Sequence, residues 1–142
     1  MKVLAFSNLF PSAAKPAFGT FNRETFLAIS KYSELRAVVP VPAWQLWRTP
    51  RDIVSPVREH QSGVDATFLP FFSIPKVSAL HAGGMAASLL PALTKLRATF
   101  PWDVMLAAWM YPDATCAAML AERFKTPLIT VALGTDLNVV PT

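Results

Sequence analysis

Short runs of apolar residues alternate along this chain with longer segments in which apolar positions recur every three or four residues. Lys2 to Ser7, Leu35 to Val41, Asp65 to Phe71, Asp103 to Ala107 and Pro127 to Leu133 read as strands. Their Val, Ile, Leu and Ala content is that of strands covered on both faces. Helical spacing fills much of the sequence between them. Asn22 to Ser33 forms the first helix, with Asn22 as its cap, Glu24 in its first turn, and Phe21, Thr25, Ala28 and Tyr32 near one face. Gly84 to Thr99 carries a stripe of Met85, Leu89, Leu93, Leu96 and Phe100, and Pro91 is expected to kink or restart it. Asp113 to Lys125 turns Cys116, Ala117, Leu120 and Phe124 inward. Ala43 to Val64 has no clean period and reads as a long loop, with a helical turn near Asp52 to Glu59.

Strands that alternate with helices imply βαβ units and a parallel sheet. Right-handed crossovers then require helices on both faces. The expected fold is therefore α/β, a doubly wound parallel sheet of Rossmann-like order 3-2-1-4-5 in one domain spanning residues 1–142. In this order the winding reverses between the first and fourth strands. Ligands of such sheets bind beyond the carboxyl ends of the strands at that point. Leu9 to Gly19, Ala108 to Asp113 and Gly134 to Asn138 converge there.

Composition agrees with a packed core and adds a hint of a partner. The hydrophobic fraction is 53% and the charged fraction 15%, the reverse of a disordered chain. That balance leaves apolar surface beyond what one core needs. Thirteen Lys and Arg against nine Asp and Glu give a formal charge of +4, but the basic residues are scattered. A nucleic-acid interface would cluster them, so no nucleic-acid partner is expected. The apolar start ends at Ser7-Asn8, too short for a secretory signal, and a cytoplasmic location is expected. Trp44, Trp47, Arg48 and Arg51 could touch a lipid surface, which admits peripheral contact with the inner membrane face. The single cysteine, Cys116, falls on an inward helical face and reads as a small buried residue. His60 and His81 are isolated, so neither a metal site nor a cofactor is expected.

Each converging segment admits two roles. Gly19 can simply turn the chain, or can bring backbone amides close to an anion at a helix N-terminus. Trp109 and Tyr111 can close the core, or can offer an aromatic platform to the C–H face of a sugar, with Asp113 as helix cap or as hydroxyl acceptor. Gly134, Thr135 and Asp136 expose amides, a hydroxyl and a carboxylate together, for a turn or for a ligand. The dinucleotide fingerprint Gly-x-Gly-x-x-Gly and the Gly-Lys-Ser/Thr of a P-loop are both absent from the sequence. Ser7-Asn8 stands where a response-regulator domain needs an acidic pair.

Taken in order, Phe10-Pro11, Gly19-Thr20-Phe21, Trp109 to Asp113 and the Gly134-Thr135-Asp136-Leu137-Asn138 that follows Pro127 to Val131 resemble the N-terminal domain of family-four glycosyltransferases of the GT-B fold. The resemblance covers nearly the whole chain. It implies the acceptor-binding half of a retaining enzyme that moves a sugar from a nucleotide-diphosphate donor to an acceptor. It also implies a C-terminal nucleotide-sugar domain, absent from this sequence, without which the chain should be inactive. Gly19, Thr20, Trp109, Tyr111, Asp113, Gly134, Thr135 and Asp136 are the substrate-binding residues implied. The pattern departs from the family at Ala107 and Ala108, where many members have His, and at Leu133, where many have Arg, His or Gln. The alternative is a free-standing, flavodoxin-like module that holds a phosphate-bearing ligand without catalysis.

Overall fold

The computed structural model describes residues 1–12, 15–46, 58–59, 63–72 and 80–134. In chain order these form β1 (Lys2–Phe6), α1 (Thr20–Ser30), β2 (Glu34–Pro42), the single turn α2 (Ala43–Leu46), β3 (Arg58–Glu59), β4 (Asp65–Phe71), α3 (His81–Thr99), β5 (Val104–Ala108), a π-turn over Met110–Ala114, α4 (Thr115–Phe124) and β6 (Leu128–Val131). The sheet order is β3-β4-β2-β1-β5-β6. All strand pairs are parallel except β3 with β4. The expected strands thus lie in the expected order 3-2-1-4-5, and β3 adds a short antiparallel edge.

The central strands are buried on both faces because βα crossovers cover both. Leu4, Phe6, Val38, Met105 and Ala107 face one layer, where Met85, Leu89 and Leu93 of α3 and Cys116, Ala117 and Leu120 of α4 meet them. Val3, Ala5, Ala37, Val39, Val104 and Leu106 face the other, where Phe26 of α1 packs with Phe10. The rings of Phe10 and Phe26 stack with centroids 5.8 Å apart. Phe10, in the Phe-Pro motif, is therefore a core residue that anchors the loop after β1.

Several expectations need correction. Helix α1 begins at Thr20 with Gly19 as its cap residue, so Asn22 does not cap it and Glu24 lies beyond its first turn. Its buried positions are Asn22 and Phe26, whereas Phe21 and Tyr32 are 47% and 90% exposed. The two faces have the same spacing, and the sheet takes the one that carries Phe26. Helix α3 runs unbroken through Pro91. Pro91 and Ala87, the residue whose carbonyl the proline cannot bond, both lie on the exposed side of the helix. Arg58 and Glu59 are extended and pair with Thr67 and Ala66, where a helical turn was expected. The rest of that turn lies outside the described residues. So do Trp47, Arg48 and Arg51, while Trp44 is 42% exposed. No helix among the described residues is long and apolar enough to cross a membrane.

The phase of α1 is directly testable. Phe26→Ala, which empties a fully buried site, should lower unfolding free energy by ~3–5 kcal/mol. Phe21→Ala should change it by less than ~0.5 kcal/mol, as exposed substitutions usually do. Urea denaturation of the two variants measures both, and equal losses would refute this packing.

Candidate functional site

The chain leaves β1 for β2 on one side and returns from β4 to β5 on the other side of β1. The carboxyl ends of β1 and β5 therefore splay two loops apart, which is the switch point of the sheet. A buried polar network holds the opening in shape. Ser7, just past β1, is 1% exposed. Its N–H donates to the Val38 carbonyl at 3.2 Å and its Oγ donates to the Ala108 carbonyl at 3.0 Å. The same Oγ accepts from the Leu9 N–H at 3.1 Å and from Asn22 Nδ2 at 3.0 Å. Asn22 Nδ2 also donates to the Leu9 carbonyl at 2.8 Å. One hydroxyl thus joins β1, β5, the first loop and α1. Asn22 was expected at a helix cap; instead it is spent on this network, which explains why a polar residue occupies the buried face of α1.

Asp113 extends the network. It is fully buried, and its Oδ2 accepts from the Asn8 N–H at 2.6 Å. The sequence suggested a helix cap or a hydroxyl acceptor for it. The structure makes it a latch between the loops after β1 and β5, with no exposed surface to offer a ligand. It also acts on Cys116. Burial first, and then the nearby Asp113 charge, push the Cys116 thiol up to about 12. A thiol held neutral and fully buried is no nucleophile, as its place on an inward face suggested.

Two backbone conformations shape the opening. Gly19 sits at φ 69° and ψ 28°, the left-handed region. A Cβ there would run into the Leu9 backbone, so only glycine lets α1 start this close to the first loop. Trp109 lies at φ 105° and ψ 126°, a strained setting for a non-glycine residue that costs ~1–3 kcal/mol. It is clamped from both ends: its N–H donates to the Val131 carbonyl at 3.2 Å and its carbonyl accepts from the Ala114 N–H at 3.0 Å. The peptide between Tyr111 and Pro112 is cis.

The result is an open cleft of about 610 Å³ walled by Leu9, Ala17, Phe18, Gly19, Phe21, Trp109, Leu133 and Gly134. Gly19, Trp109 and Gly134 are thus brought together as expected. Thr20 opens α1 without lining the cleft, and Tyr111 is 41% exposed outside its walls. Thr135 and Asp136 lie outside the described residues. Leu9 and Phe18 belong to the segment expected to converge here and Phe21 to the Gly19-Thr20-Phe21 motif, but none of the three was expected to line the site itself. Their signal was adjacency to Gly19, obscured because Phe21 also fits a helical core stripe. A second cavity, of about 150 Å³, adjoins it across Leu9 and Phe18. Among the described residues, no group of three His, Cys, Asp or Glu could hold a metal ion.

Two measurements test the network. Asp113→Ala removes a charged acceptor from the Asn8 amide and should lower stability by ~1.5–3 kcal/mol. The raised Cys116 pKa means that the folded chain keeps a proton that the unfolded chain loses. Stability linked to this group is therefore intact below its ordinary pKa near 9 and is lost as pH rises towards about 12. Urea midpoints across that window should fall more steeply for the natural chain than for Cys116→Ala.

No family model matches the chain. A search of curated proteins finds the Bacillus subtilis protein TuaC, whose name makes it a teichuronic acid biosynthesis glycosyltransferase, 26% identical over 150 aligned residues. The match takes in 99% of this chain and 38% of TuaC. Among solved structures, the glycotransferase of kitacinnamycin aligns at a TM-score of 0.48 and 16% identity, over 92% of this chain and 30% of that one. The chain thus spans well under half the length of each of these two proteins.

Proposed function

We propose that this chain is the acceptor-side half of a retaining glycosyltransferase of GT-B architecture that uses a nucleotide-diphosphate sugar. The observation that carries the reading is the convergence of the loops after β1, β5 and β6 on one open cleft at the switch point. Sequence similarity to TuaC along almost the whole chain supports it. The cleft is open on its outer side. In this proposal a C-terminal domain supplies the other wall and most of the donor contacts, and the whole works in the cytoplasm.

The residues divide the work by chemistry. The N-terminus of α1 presents amides beside Gly19, where the donor diphosphate would gain from backbone N–H groups and the helix dipole. Trp109 offers its ring to the apolar face of a sugar, with Tyr111 at the outer rim. Gly134, followed by Thr135 and Asp136, supplies backbone and side-chain partners for hydroxyls. Thr20 contributes through its place in the first turn of α1. Asp113 acts by holding Asn8 and the first loop. Ala108 and Leu133 replace the polar groups that many relatives of this pattern carry, so hydroxyl activation falls to the residues after Gly134 or to the other domain.

The test compares two proteins. The complete gene product, given a panel of nucleotide sugars, should release nucleotide, and the 142-residue chain should release none. Trp109→Ala in the complete product should lower kcat/KM by about tenfold, the loss of one stacking contact. Turnover by the 142-residue chain alone would overturn the half-site reading. No turnover by the complete product with any donor would overturn the transferase.

A further inference from the structure

We infer that Trp109 is a ligand-binding residue whose backbone is held strained for the sake of its ring, so that the fold is less stable than a glycine at this position would make it. The inference deepens the proposed transferase and rests on it for the turnover measurement alone. Among the described residues, Gly19, Gly63, Trp109 and Lys125 have positive φ. Gly19 and Gly63 have no Cβ to clash. Lys125 ends α4 at φ 51° and ψ 49°, the left-handed region in which helices commonly stop. Trp109, at φ 105° and ψ 126°, fits neither case. A bulky side chain is poorly suited to such a backbone. Glycine would make the same bend without strain, so the bend by itself does not call for a tryptophan.

The core does not call for one either. Trp109 is half-buried and belongs to neither of the two clusters that pack the sheet. Ala108, Phe10 and Phe26 close the α1 side of the core without it. The Trp109 N–H continues the β5 ladder by donating to the Val131 carbonyl, so the residue still holds a strand position. Side chains alternate along a strand, and position 109 would share the side of Ala107, which packs with α3 and α4. Trp109 instead lines the cleft with Leu9, Gly19 and Phe21, at the start of a helix that packs on the opposite side of the sheet. Its positive φ takes it out of the alternation. The Ala114 N–H, donating to the Trp109 carbonyl, holds it there, and the contact of Asp113 with the Asn8 N–H secures the same turn. With the backbone fixed in advance, only the two side-chain torsions of the ring remain to be ordered when a ligand stacks on it.

Urea denaturation of the 142-residue chain separates the ring from the backbone. Trp109→Ala removes the ring and keeps the strain, and its midpoint should fall much less than that of Phe26→Ala. Trp109→Gly removes both, and its midpoint should lie about 0.5 M above that of Trp109→Ala, although glycine ordinarily gives the less stable chain of the two. In the complete gene product both variants should lose about tenfold in kcat/KM, so the more stable of them gains no activity. Trp109→Phe, which keeps an aromatic face on the same backbone, should recover most of that loss. A Trp109→Gly midpoint at or below that of Trp109→Ala overturns the inference, because no strain was then relieved. A fall for Trp109→Ala as large as that for Phe26→Ala, or its failure to fold, makes the ring a core residue and also overturns it. Full activity of Trp109→Gly in the complete product overturns it and leaves the transferase standing. No turnover by the natural complete product with any donor removes the transferase and the ligand with it, while the order of the midpoints still decides the strain.

Discussion

The Ser7 hydroxyl is the interaction on which the site depends. A doubly wound sheet opens at its switch point because two strands send their chains in opposite directions, and nothing in the sheet ladder closes that gap. Ser7 bridges it: its Oγ reaches the Ala108 carbonyl at the end of β5 while it accepts from the Leu9 amide and from Asn22. Each partner is a backbone or amide group at the sheet end, where a buried polar group left without a hydrogen bond costs ~1–3 kcal/mol. Four pieces of structure thus share one small side chain, which fixes the distance between the cleft walls before any ligand arrives.

The neighbouring features follow from that constraint. With Asn22 drawn inward, α1 must start early and close to the first loop, and only a glycine at position 19 leaves room for the Leu9 backbone. With Asp113 holding the Asn8 amide, the chain after β5 must bend sharply back. The strain of that bend appears at Trp109, whose unusual backbone is held by hydrogen bonds to Val131 and from Ala114. Polar groups are concentrated beneath the cleft as structural support, and the wall above them is left apolar. That division separates rigidity from recognition. It also explains how a domain with so few charged residues still defines a site.

The position of Lys15 and Phe18 gives the site a direction. The apolar cleft lies towards β5 and β6, and the smaller cavity, with Lys15 as its one ionisable lining residue among the described residues, lies towards β2. Leu133 is part of the apolar wall, whereas Ala108 is buried in the core beneath it.

The alternation of Val-rich runs with helical stripes determined the fold class and the strand order, because two-sided burial leaves little choice of residue and right-handed crossovers leave little choice of topology. It also placed Gly19, Trp109 and Gly134 at one end of the sheet, since loops after parallel strands must emerge there. The tertiary structure alone decided which face of α1 is buried. Phe21, Thr25, Ala28 and Tyr32 have the same helical spacing as Asn22, Phe26 and Ile29, and the second set wins because Phe26 fills the core against Phe10 while Ser7 and Leu9 satisfy the Asn22 amide. It alone decided that Asp113 is buried. A carboxylate at a helix start is ordinarily exposed, and its partner, the Asn8 amide, is 105 residues away in sequence. Periodicity reports which residues can share a face; hydrogen bonds between distant segments report which face the fold can bury.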